Sequence, residues 1–148
     1  MAATAKRGEM RLIAVVLGAD TGKERFGIAS EMMDYGFANY RRYPVTEKGA
    51  KVRGRLPVTG GSESDVELEL DEKLTLLLKR GEEEKIRLQA NLPESAAAPV
   101  AKGQLIGSVD VLMGERVVGR VKVVASESIG RRSFSDGLER VLKNWCFQ

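Results

Sequence analysis

The chain has 148 residues, of which 43% are hydrophobic and 30% charged, so it is expected to fold as a soluble domain rather than stay disordered. Aromatics are only 5%, which leaves the core to Val, Leu, Ile and Ala, and the single cysteine, Cys146, excludes an intrachain disulfide framework. Histidine is absent, which excludes Ser-His-Asp and Cys-His catalysis within the chain, and a net charge of +3 identifies no polyanionic partner.

The first block spans residues 1–43. Ala2 to Lys6, a turn at Gly8 and Met10 to Leu17 predict two strands in a tight hairpin. Leu12 to Leu17 is the longest apolar run and is far short of the ~20 residues of a spanning helix. Lys6 and Arg7 before it imitate a secretory signal, but Glu9 and Arg11 interrupt that pattern, and no targeting sequence is expected. Thr21 and Glu24 have capping-box spacing and predict a helix start. Phe26, Ala29, Met33, Phe37 and Tyr40 then define one apolar stripe, read as core packing. Arg41 and Arg42 are placed in the last helical turn, with Pro44 as the stop. A hairpin and one helix cannot cover both faces of a sheet, so the block is expected to need a partner, including a second copy in a homo-oligomer.

The second block, residues 44–128, alternates short β-rich runs with Gly, Pro and charged turns. Those runs are Lys51 to Val58, Asp65 to Leu70, Leu74 to Leu78, Ile86 to Leu92, Leu105 to Met113 and Val117 to Ala125. Val66, Leu68 and Leu70 alternate with Glu67 and Glu69, the period of a half-buried strand. Met113-Gly114-Glu115-Arg116 reads as a hairpin turn. The spacing predicts a small antiparallel β-sandwich. A basic set (Arg41, Arg42, Lys48, Lys51, Arg53, Arg55) precedes an acidic one (Glu63, Asp65, Glu67, Glu69, Asp71, Glu72), and the two are expected to pair across neighbouring strands.

The third block is residues 129–148. Phe134, Leu138, Val141, Leu142 and Trp145 fall on one helical face, while Arg131, Arg132, Arg140 and Lys143 lie elsewhere on the wheel. Periodicity alone leaves two readings open: a helix lying in a membrane interface, or a terminal helix docked on protein.

Three motifs tempt and fail. Gly18-Ala19-Asp20-Thr21-Gly22-Lys23 is one residue short of a phosphate-binding P-loop, and Glu24 stands where a magnesium-binding hydroxyl belongs. Leu56-Pro57-Val58-Thr59-Gly60 matches a sortase signal but sits mid-chain, so it reads as a strand ending in a Gly-Gly turn. No serine is followed by lysine at the Ser-x-x-Lys spacing.

The order of features nevertheless resembles the C-terminal part of a serine D-alanyl-D-alanine carboxypeptidase, a low-molecular-mass penicillin-binding protein. The resemblance runs through Ala2-Ala3-Thr4-Ala5-Lys6-Arg7, Met10 to Gly18, a helix with Arg25 early and Tyr35-Gly36-Phe37 late, and Ala98-Pro99-Val100-Ala101-Lys102-Gly103-Gln104-Leu105-Ile106-Gly107. It implies an α+β chain in three parts. Residues 1–43 would be an incomplete transpeptidase-type hairpin and helix, residues 44–128 a β-rich domain, and residues 129–148 an amphipathic membrane-association helix, like the family's, over 131–147. It implies Arg25 at the edge of a substrate cleft. It also implies that the nucleophilic serine, lysine base, Ser-x-Asn element and Lys-Thr-Gly strand lie upstream of Met1, so that the chain is an N-terminally truncated, inactive piece. The parent would trim peptidoglycan stem peptides at the outer face of the cytoplasmic membrane, with no metal, cofactor or nucleic acid involved. The alternative is a non-enzymatic module that holds an anionic cell-wall polymer or a protein partner on the Arg41 to Arg55 basic surface. A phosphate-binding enzyme comes third.

Overall fold

The computed structural model describes residues 1–132, and the remaining predicted helix positions lie outside them. The described chain is mostly β with one α-helix. In order it forms β1 (Ala2–Arg7), β2 (Met10–Val15), α1 (Gly22–Asn39), β3 (Tyr40–Thr46), β4 (Lys51–Thr59), β5 (Asp65–Leu70) and β6 (Leu74–Lys79). A 3-10 turn at Glu83–Lys85 leads to β7 (Ile86–Asn91), β8 (Ala96–Ala97), β9 (Leu105–Met113) and β10 (Arg116–Ala125). Two compact units result. One is Met1–Val45 with Thr75–Lys85, and the other is Thr46–Leu74 with the described residues from Ile86 onward.

In the first unit β1 and β2 pair antiparallel from Ala2↔Val15 to Arg7↔Met10, closed by Gly8 at φ 59°. Ala14, Val16 and Ala29 are buried together, with Met1, Ala3, Ala19 and Met33 packed on them, so α1 covers one face of the hairpin. Ile13, Val15 and Leu17 point the other way and stay exposed. The apolar stripe of α1 is therefore only partly core: Ala29 and Phe37 are buried, but Phe26 is 68% exposed.

The helix ends earlier than the stripe predicts. Tyr40 is extended (φ −114°, ψ 151°), its N–H donates to Gly36 O, and Asn39 Nδ2 donates to Tyr35 O at 2.9 Å. Arg41, Arg42 and Pro44 thus lie in β3, which pairs with β6, and not in a last helical turn. The residue before a proline favours extended backbone, and Tyr43 and Val45 are strand formers, so local preference agrees with the pairing. Tyr40 has helical spacing but strand conformation.

The second unit is one six-stranded sheet in the order β7-β9-β10-β5-β4-β8, antiparallel at every pair except parallel β4–β8. The sheet is curled, and the small, mostly antiparallel β-rich domain that the spacing predicts is observed. The β9–β10 register shifts at Val117/Gly119 and again at Val123/Val124. Such bulges add local twist, which helps one sheet wrap over its own core. That core is Leu56, Val58, Val66, Leu68, Leu70, Val109, Val121, Val123 and Ala125 from four strands, closed by Val100 and Ile129. The alternation read in β5 is observed: Val66, Leu68 and Leu70 are buried, and Glu67 and Glu69 are half-buried. Met113↔Arg116 pair across the turn at Gly114, as expected.

Leu56 and Val58 are core residues of β4, and Gly60 turns at φ 71°, which accounts for the sortase-like motif. Arg131 forms an antiparallel bridge with Gly61, and the Arg132 N–H donates to Gly60 O at 2.9 Å. These two arginines, expected to open a helix, are therefore extended: the Gly-Gly turn offers backbone groups that residues 130–132 satisfy. Phe134, Leu138, Arg140, Val141, Leu142, Lys143 and Trp145 lie outside the described residues.

Candidate functional site

The helix start at Thr21 was a candidate for anion binding. Thr21 Oγ1 accepts from the Glu24 N–H at 3.2 Å, and Glu24 Oε2 accepts from the Asp20 N–H at 3.2 Å. The Glu24 carboxylate and the Thr21 hydroxyl thus each occupy an N–H at the helix start, and a carboxylate there repels phosphate, so the P-loop reading fails on chemistry as well as spacing. Arg25, implied at a cleft edge, is exposed, and its Nε donates to Thr21 O at 3.3 Å. Its guanidinium is held by its own helix.

Acyl-transfer chemistry needs a hydroxyl paired with a base. Ser64 donates to Asp65 Oδ2 at 2.9 Å, Ser126 donates to Glu67 O at 3.1 Å, and Ser128 accepts from the Lys102 backbone N–H at 2.9 Å. Among the described residues no serine hydroxyl is hydrogen-bonded to a lysine amine.

The basic run is largely neutralised where it folds. Lys51 pairs with Glu67 at 2.6 Å, and Lys48 with Asp71 at 3.5 Å. Arg55 meets Asp65, Glu67 at 3.5 Å and Glu127 at 3.2 Å. The Lys51 hydrogen bond, aided by the charges of Lys51 and Arg55, holds the Glu67 carboxyl below the ordinary range. The expected cross-strand pairing holds for Lys51 and Arg55, whereas Lys48 and Asp71 meet between turns. Arg41 and Arg42 fall in the other unit.

On β9 the buried Asp110 accepts from Arg120 Nε at 2.5 Å and Nη2 at 3.0 Å, and from Asn91 Nδ2 at 3.0 Å. The Arg120 hydrogen bonds hold the Asp110 pKa below the usual carboxylate range. β7, β9 and β10 are thereby joined by an ion pair with one amide hydrogen bond, which fixes register rather than performing chemistry.

Sequence reasoning missed a cleft of about 460 Å³ in the first unit, lined by Arg7, Arg41, Arg42 and Arg80 with Glu9, Met10, Phe37 and Tyr40. The Arg7 guanidinium lies 4.6 Å from the Phe37 ring and pairs with Asp34 at 2.7 Å. Arg41 pairs with Glu83, whose carboxyl is held low by its own backbone N–H and by Arg41. The arginines come from separate segments, so no local motif announces them; Arg41-Arg42 was the only visible trace.

Known proteins place this arrangement. Residues 40–131 match the family described as penicillin-binding protein 5, C-terminal domain. The chain belongs to that family. D-alanyl-D-alanine carboxypeptidase DacF of Bacillus subtilis (strain 168) is 31% identical over 146 residues, covering 98% of this chain and 37% of the relative. DacC of Escherichia coli (strain K12), of the same description, is 29% identical and covers 90% of this chain and 34% of its own length. The crystal structure of penicillin binding protein 5 from Haemophilus influenzae superposes with a TM-score of 0.68 at 26% identity, over 88% of this chain and 38% of that one. The chain thus spans about a third of the length of these relatives and matches the C-terminal part of a DD-carboxypeptidase. In this C-terminal-domain family member, no described helix is long and apolar enough to cross a membrane.

Proposed function

We propose that the chain supplies the non-catalytic C-terminal portion of a D-alanyl-D-alanine carboxypeptidase that trims peptidoglycan stem peptides. The β-rich unit serves as a stalk or interaction module, and the terminal segment as a peripheral anchor at the outer face of the cytoplasmic membrane. The family match over residues 40–131 carries this reading. Ser64, Ser126 and Ser128 are consistent with it, because their hydrogen-bond partners are a carboxylate or backbone groups and none is the lysine amine that the family's chemistry uses.

The anchor rests on the pattern of Phe134, Leu138, Val141, Leu142 and Trp145, with Arg131, Arg132, Arg140 and Lys143 adding attraction to anionic lipid. Asp136 and Glu139 oppose that attraction, so binding is modest, reversible and weaker at high salt. Co-sedimentation of the full chain with phosphatidylglycerol vesicles tests it. Leu138→Asp with Leu142→Asp removes binding and leaves the melting temperature of the β-rich unit unchanged. If the double variant unfolds that unit, the segment is a structural cap and the anchor reading is wrong.

A further inference from the structure

We propose that the arginine-lined cleft of the first unit is a binding site for a phosphoryl group. Four guanidiniums from β1, β3 and the turn after β6 face one cavity whose lining holds a single carboxylate, Glu9. Two are already committed, Arg7 to Asp34 and Arg41 to Glu83. The other two are not. Arg42 donates from Nη1 to the Glu9 backbone carbonyl at 3.2 Å and reaches the Glu9 carboxylate only at 3.9 Å. Arg80 has no ion-pair partner among the described residues. Its Nε donates to Ala38 O at 2.7 Å, and its backbone N–H donates to Asn39 O at 2.8 Å. Those two bonds hold the guanidinium in place and leave both terminal nitrogens for a ligand. A pre-organised fork loses less freedom when it binds than a free lysine does.

The chemistry of the ligand follows from the number of uncommitted forks. One carboxylate carries one charge and is satisfied by one guanidinium. Two forks in one cleft match a tetrahedral anion with three acceptor oxygens and a charge of up to about −2. The cavity volume lies within the range of about 300–1,000 Å³ typical of small-ligand sites. Met10, Phe37 and Tyr40 give it an apolar wall for the rest of a phosphate ester. Glu9 opposes any anion and sets a ceiling on affinity. The phosphoryl group can belong to a free phosphate or to a lipid headgroup. The proposal does not depend on the carboxypeptidase reading, since it is argued from the cleft's own side chains.

The test is a nuclear magnetic resonance titration of the full chain with sodium phosphate at constant ionic strength, with acetate as the carboxylate control. Phosphate produces saturable shifts of the Arg42 and Arg80 Nε–H signals, and acetate does not. Arg42→Ala and Arg80→Ala each weaken phosphate by about tenfold or more, as expected for a lost charge-assisted bond. Glu9→Gln tightens it, and Arg53→Ala, in the other unit, changes nothing. If Arg80→Ala disturbs the fold, Arg42→Ala and Glu9→Gln decide alone. In a parallel arm, binding to phosphatidylglycerol over phosphatidylcholine vesicles that needs Arg42 and Arg80, without saturable free phosphate, assigns the group to a lipid and supports the proposal. Equal response to acetate, or phosphate and vesicle binding indifferent to Arg42 and Arg80, overturns it.

Discussion

Leu68 is 2% exposed in the centre of β5, against the strands on either side of it and the residues that close the core. Leu68→Ala removes roughly three methylene equivalents, about 2.4 kcal/mol of transfer free energy at ~0.8 each. The curled sheet cannot fully close over the space, so a cavity term adds to that, and the total lies at about 2–5 kcal/mol. For a unit of this size each kcal/mol lowers the melting temperature by about 4–8 °C, so a fall of at least about 10 °C is expected. With two compact units, one melting curve can mix two transitions; hydrogen exchange at the Val66 and Val123 amides reads the loss locally. Ile13→Ala, at a residue 70% exposed, is the contrast and changes stability by no more than about 0.5 kcal/mol. A Leu68→Ala protein that melts and exchanges like the parent would refute the curled-sheet core.

Two further outcomes follow from contacts in the second unit and the helix. Asp110 has its pKa depressed by Arg120, so the stability it contributes is present above the ordinary aspartate value of about 4 and is lost as pH falls through the lower folded value. Arg120→Ala therefore flattens the acid limb of a stability-against-pH curve, and an unchanged limb contradicts the assignment. A Cβ on Gly107 would run into the Asn91 backbone carbonyl, whereas one on Gly36 would meet the movable tip of Leu12 at 2.5 Å. Gly107→Ala is accordingly destabilising by about 1–3 kcal/mol. Gly36→Ala is close to neutral, because a helical Gly-to-Ala gain of about 1 kcal/mol offsets the repacking. Denaturant titration of both variants checks the order, and the reverse order would be inconsistent with these contacts.

What the sequence made legible was local. Thr21 with Glu24 announced the cap, Val66-Glu67-Leu68-Glu69-Leu70 announced a half-buried strand, and Gly114 announced a hairpin. Each depends on neighbours a few residues apart. The misreadings were non-local. Tyr40 continued the helical spacing, but pairing of β3 with β6, more than thirty residues away, placed it and Arg41-Arg42 in a strand. Phe26 fitted the stripe, yet it stays exposed while Ala29 and Phe37 are buried. The curl of the second unit depends on register shifts in β10 that no alternation pattern records. The site divided the same way. That no serine has a lysine at the Ser-x-x-Lys spacing was visible in the sequence, whereas the four-arginine cleft is assembled by the fold from three distant segments.

The function proposed for this chain, the non-catalytic C-terminal portion of a carboxypeptidase, expects no acyl-transfer centre within it. Intact-mass measurement after incubation with excess β-lactam tests it most directly, because an activated serine would retain the drug as a stable ester. The expected spectrum shows the unmodified mass alone. A stoichiometric adduct mapped to any serine would contradict the account.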